Sequence, residues 1–254
     1  MPDVHTNSAD GAPAAEYTVN YSNDSLLLYA TISGNSNLTH AGSGILILDK
    51  ENTATGVLTI STKGASVQFG NGGNDDAVWA GSITGAGNVI VDTQGSLNLT
   101  KAYSYTGTTT ITNGTLKLTD NGSVGTGAVT IKNSSVLEVA NTSTANEDGE
   151  ISTAEFSLST ATLETNASVQ IGANTSLAAT SISGGTLNLN GGTLKGVENG
   201  TTVSSATTLN ADSSIDTSDG NVEISGAVSA SNNTLAVEGE NTLTLSGQAT
   251  PSAP

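Results

Sequence analysis

The sequence predicts an all-β chain wound as a parallel β-helix, a solenoid of roughly a dozen coils of about 20 residues each. Three observations carry this. Apolar pairs two residues apart recur along the chain, among them Ile45/Ile47, Leu58/Ile60, Val67/Phe69, Val129/Ile131, Val169/Ile171 and Leu187/Leu189. Such period-two pairs mark half-buried strands, and each is too short to stand as a hairpin. The pairs themselves repeat: Phe156 to Leu177 and Val222 to Leu243 are each 21 residues, and Leu97 to Leu116 is 19. Between them lie Gly, Asn, Ser and Thr steps such as Asn113-Gly114 and Asn121-Gly122, which supply the corners of a coil. The rival fold is an antiparallel β-sandwich. It calls for longer alternating strands and a larger aromatic core than one Trp, five Tyr and two Phe provide.

Taken in order, residues 1–15 are polar and are expected to form a disordered tail or a remnant of processing. Residues 16–250 read as one β-helix domain. Its first stretch, Glu16 to Ile32, is the most aromatic and apolar of the chain and is expected to cap the first coil. Residues 251–254 read as a second tail. Asn113, Asn133 and Asn190 stand beside strand pairs, where stacked Asn side chains form ladders between coils.

Composition excludes several functions. The net charge is −17, with six Lys and no Arg, so no basic stripe exists for nucleic acid or an anionic membrane. No apolar run approaches the ~20 residues of a membrane-spanning helix, so direct membrane insertion is not expected. The first sixteen residues, MPDVHTNSADGAPAAE, show no signal peptide. The chain therefore reads either as cytosolic or as a piece of a longer protein. Without Cys there is no thiol chemistry, and with only His5 and His40 there is little base for a nucleophilic serine. No enzyme and no catalytic residue is expected.

One stretch is more specific than the periodicity: VWAGSITGAGNVIVDTQGSLNLTKAYSYTGTTTITNGTLKL, residues 78–118. It resembles the passenger-associated transport repeat of type V secreted bacterial autotransporters. The matching positions are Trp79, Gly81, Ile83, Gly85, Gly87, Gly95, Leu97, Leu99, Tyr105, Gly107, Thr109, Ile111, Gly114 and Leu116. A weaker copy occupies residues 223–247, with Ile224 in the Trp position, Gly226 and Val228 in place, and Ser231 where a Gly is expected. The chain ends before the Tyr-Thr-Gly half of that copy, as expected of a fragment. The resemblance implies a right-handed parallel β-helix, the passenger of an outer-membrane autotransporter, secreted to the bacterial cell surface. The signal peptide and membrane barrel of that family are absent from this chain. It further implies adhesion, with a host glycan or matrix protein as partner, or self-association with the same solenoid on a neighbouring cell, as in biofilms. The alternatives are a passive stalk that supports secretion and, more remotely, a polysaccharide-active β-helix.

No cofactor is expected, with calcium as the single exception to weigh. In TANEDGEISTAE, residues 144–155, the positions Asn146, Asp148, Glu150 and Glu155 follow the spacing of a calcium loop. Against this, Thr144 stands where Asp opens such loops, and the flanks read as strands rather than helices. The competing reading is an acidic loop bulging from a coil. Trp79, Tyr103 and Tyr105 have the chemistry to stack on sugars, but packing within the coils is the first expectation for each.

Overall fold

A computed structural model of the chain describes residues 16–22, 24–28, 31–49, 51–73, 76–120, 122–147 and 150–250. It is all-β, without helix among these residues, and its strands stack as a parallel β-solenoid of about 10 turns of ~21 residues. The chain divides into two compact units, residues 1–117 with 122–127, and residues 118–121 with 128–254. Each strand pairs in parallel register with the equivalent strand one turn away; among the described residues the one antiparallel contact is the isolated bridge Gly172–Gly191. That pattern excludes the sandwich.

In the first unit a turn has three faces. The first face is a sheet of its own, Glu16–Val19, Asn37–His40, Val57–Ile60 and Ser82–Gly85. Its inward residues stack as Leu38, Leu58 and Ile83, and as His40, Ile60 and Gly85. The second face stacks Leu26, Leu46, Val67 and Val89 beside Leu28, Leu48, Phe69 and Val91. The third brings Asn52 against Trp79 and Ala77 against Leu97. The stretch Glu16 to Ile32, expected to cap the solenoid, contributes the strands Glu16–Val19 and Ser25–Leu28, which pair with Asn37–His40 and Ile45–Leu48 of the next turn.

The second unit repeats the plan. Phe156, Leu177, Leu194, Ile215 and Val237 stack on its first face. Val129, Ala161, Ile182, Val203, Ile224 and Leu245 stack on its second. Val139, Ile171, Leu189, Leu209 and Ala230 stack on its third. Most of these side chains are under 10% exposed, and each fully buried Leu or Ile stabilises the fold by about 1.5–3 kcal/mol. At the last turn the same inward positions open: Val237 is 53% and Leu245 49% exposed.

The turns number fewer than the dozen expected because some are longer. Val129 pairs with Ala161 and Leu137 with Val169, steps of 32 residues instead of 21, and residues 141–147 and 150–153 of that turn carry no strand. A longer turn of this kind adds little closure cost, which is why the stacking resumes on the far side.

Two devices hold the corners. Side-chain carbonyls of Asn and Asp accept the main-chain N–H of a residue 20 to 22 positions later, one turn on. Examples are Asn37 to Val57 at 2.8 Å, Asp76 to Ser96 at 2.6 Å, Asp120 to Thr142 at 3.1 Å and Asp212 to Thr234 at 2.7 Å. These bonds satisfy donors that the broken strands leave unpaired. Glycine is the second device. A Cβ on Gly107 would lie 2.2 Å from the Gly87 carbonyl oxygen, and one on Gly125 would lie 2.1 Å from the Tyr105 carbonyl and 2.5 Å from its ring. Gly125→Ala is therefore expected to cost about 1–3 kcal/mol. Gly73→Ala, where a Cβ meets nothing within 4 Å, should stay within about 0.5 kcal/mol of the parent. Urea denaturation of both variants reads the difference, and equal midpoints would show that corner contact is not what selects glycine.

Candidate functional site

The inward residues are committed to packing, so anything the molecule recognises must meet the outward rows. On the first face of the first unit, Thr18, Thr39, Thr59 and Thr84 stand in one register, and the Thr59 and Thr84 hydroxyls lie 3.3 Å apart. The flanking outward positions Asn37, Val57 and Ser82 are uncharged. In a chain of net charge −17, the single charge in these rows is Glu16, which accepts from the Asn37 amide at 2.6 Å.

Two open grooves lie among the described residues of the second unit. One, of about 650 Å³, lies on its first face and is lined by Glu155, Ser157, Ser176, Lys195, Glu198 and Asp219 among others. Lys195 pairs with Asp219 at 2.9 Å. That carboxylate holds the ammonium above its usual range, with Glu155 and Asp216 adding to it. The hydroxyl and main-chain N–H of Ser218 hold Asp216 below the usual carboxylate range. The other groove, of about 440 Å³, lies on the second face. Its outward row runs Thr160, Ser181, Thr202, Glu223 and Thr244 in register. On the third face, Asn210 donates to Asn190 at 2.8 Å and Asn190 to Gln170 at 3.4 Å. The carboxamide ladder expected at Asn190 is therefore present.

The positions matched in the resemblance to a transport repeat take structural places. Trp79 is 1% exposed, its indole N–H reaches the Ser82 carbonyl at 3.4 Å, and its ring lies 6.3 Å from that of Phe69. Ile83, Leu97, Leu99, Ile111 and Leu116 are fully buried. Gly81, Gly85, Gly87, Gly107 and Gly114 all stand where a Cβ would come within 2.2 Å of another atom. Gly95 donates its N–H to the Thr93 hydroxyl at 3.1 Å. Tyr105 is fully buried and shares a hydroxyl bond of 2.6 Å with buried Thr109. Neither Trp79 nor Tyr103 nor Tyr105 offers a face to a sugar.

Of the calcium-loop positions, the structure pairs two. The Asn146 side-chain Oδ1 accepts the Glu150 N–H at 2.8 Å, and the Asn146 main-chain N–H donates to the Glu150 main-chain oxygen at 2.8 Å. Glu155 sits instead on Ala154–Gly172 and lines the Lys195 groove. Asp148 lies outside the described residues. Among the described residues, no group of three or more His, Cys, Asp or Glu could hold a metal ion. Sequence reasoning did not find either groove. Each is made by residues from turns about 21 apart, and only the register shows which ones meet.

The buried tyrosines give a pH signature. Burial pushes the Tyr103 phenol up to about 12, with neighbouring Tyr105 adding to it, and burial likewise raises Tyr105 against the lowering effect of Thr109. The folded chain thus keeps these protons to higher pH than the unfolded chain. Stability is complete below the ordinary value of 10.0 and falls as pH rises toward about 12. Tyr103→Phe, which deletes a buried hydroxyl without a hydrogen-bond partner, should be neutral or stabilising at pH 7 and should flatten the alkaline decline. Tyr105→Phe orphans the Thr109 hydroxyl and should cost about 1–3 kcal/mol at neutral pH. Urea midpoints between pH 7 and about 12 measure both, and an unchanged alkaline slope in the Tyr103 variant would contradict the assignment. No family model, no curated protein and no solved structure matches this chain.

Proposed function

We propose that this chain is a non-catalytic adhesive solenoid, a fragment of the passenger of a bacterial autotransporter that is secreted to the cell surface. The observation that carries the reading is the outward registration of hydroxyl-bearing rows, Thr18, Thr39, Thr59 and Thr84 in one unit and Thr160, Ser181, Thr202 and Thr244 in the other. Rows fixed at the strand spacing of about 4.8 Å present many weak polar contacts at once, and together these give avidity without a deep pocket. The partner is a host glycan, a matrix protein or a second copy of the solenoid.

The absence of chemistry in this reading rests on the side chains available. His40 is fully buried, with its two ring nitrogens facing the main-chain oxygens of Gly44 at 2.9 Å and Val19 at 3.4 Å. It is thus engaged in packing rather than poised beside a nucleophile. His5 lies outside the described residues. The transport-repeat pattern of residues 78–118 supports the secreted assignment, since its glycines and aromatics have coherent places in a parallel coil.

Two measurements on the whole chain test the proposal. Labelled protein should bind saturably to surfaces coated with glycans or matrix proteins, or sedimentation velocity should show dimers that grow with concentration. A chain that stays monomeric and binds no such surface would leave the stalk as the better reading. Turnover of a polysaccharide by the pure chain would overturn the non-catalytic assignment.

A further inference from the structure

The geometry points to the groove on the second face of the second unit as a binding site for a short neutral glycan, with Glu223 and Asn221 as its recognising groups. The inference rests on the adhesive reading and gives it a place and a ligand class. Three consecutive turns build the site. The corner entering this face carries Gly200, Asn221 and Thr242, aligned by main-chain bonds from Thr201 to Asn221 and from Val222 to Thr242. Gly200 has φ +87° and no side chain, and a Cβ there would approach only the Asn221 oxygen, at 3.7 Å. The missing side chain opens a notch, and the next two turns wall it.

The chemistry of the walls is specific. The Asn221 carbonyl is held by the Thr242 N–H at 2.9 Å, which fixes the carboxamide and leaves its Nδ2 as an oriented donor on an exposed side chain. Glu223 stands in register between Thr202 and Thr244, exposed, with its carboxylate receiving the Ser246 hydroxyl at 3.5 Å. A carboxylate and a carboxamide lining one groove can accept from one hydroxyl of a sugar and donate to another, and the Thr202 and Thr244 hydroxyls extend the same pattern along the row.

Charge decides among hydroxylated ligands. No Lys lines this groove, and the chain carries −17, so a sulfated or uronic sugar would bring like charge against Glu223. A simple cation would engage Glu223 and leave the fixed Asn221 donor unused. An uncharged, polyhydroxylated ligand satisfies both. The lining holds no aromatic ring for stacking, so single-site affinity is weak, with Kd on the order of 1 mM.

The test uses the whole chain and saturation-transfer NMR titrations with malto-, cello-, manno- and chito-oligosaccharides, with a heparin fragment as the acidic comparison. Binding of at least one neutral oligosaccharide is expected. Both Glu223→Gln and Asn221→Asp should weaken it by about tenfold or more. Asn221→Asp keeps the oxygen that caps Thr242 and removes the donor, so its melting temperature should match the parent and separate recognition from folding. Neutral binding that survives both variants, tighter binding of heparin, or no neutral binding up to about 10 mM would each overturn the site. If surface adhesion persists in that last case, the adhesive reading stands and only this site falls. If adhesion is lost as well, both fall.

Discussion

Every residue of a parallel solenoid has the equivalent residue of the turn before and the turn after about 4.8 Å away, held by main-chain hydrogen bonds. That constraint orders the rest of the structure. An inward position must be filled by a side chain that packs on its own kind, hence the stacks Leu26–Leu46–Val67–Val89 and Val129–Ala161–Ile182–Val203–Ile224. A corner position must tolerate a carbonyl directly beneath it, which a Cβ at Gly107 or Gly125 would strike. A break in the ladder needs another acceptor, and Asn and Asp reach across one turn to provide it.

The same register that builds the core arranges the surface. Outward side chains cannot scatter; they form rows whose chemistry is read along the stack. A row of like charges is costly at this spacing, and in the row Lys195, Asp216 and Glu238 an ammonium stands next to the first of the two carboxylates. Rows of threonine and serine carry no such penalty. A chain of net charge −17 thus has uncharged strips where another molecule can approach closely, and carboxylates placed singly among hydroxyls, as Glu223 is.

Much of the fold was legible in the sequence because inward stacking writes itself as spacing. Phe156 to Leu177 and Val222 to Leu243, both 21 apart in sequence, are true register partners. The packing roles of Trp79, Tyr103 and Tyr105 were legible from their place in a strand pattern, and all three are buried. Other features were not. The corner bonds of Asp76 and Asp212 join residues about a turn apart with no apolar signal, and only an Asn or Asp facing a main-chain N–H 20 to 22 residues later would have marked them. One turn is 32 residues long, and its length hides the Leu137–Val169 pair from any search at a fixed period. The groove beside Glu223 was invisible because its notch comes from what Gly200 lacks, and its walls from two later turns.

The central claim is that outward residues one turn apart lie in a single row at the strand spacing. A pair of spin labels at Thr160 and Thr244, in the one Cys-free chain, tests it directly, since these residues stand four turns apart in the row Thr160, Ser181, Thr202, Glu223, Thr244. The account predicts a narrow distance distribution near four strand spacings, ~19 Å between backbone positions. A broad distribution, or a sharp one that is no multiple of that spacing, would contradict it.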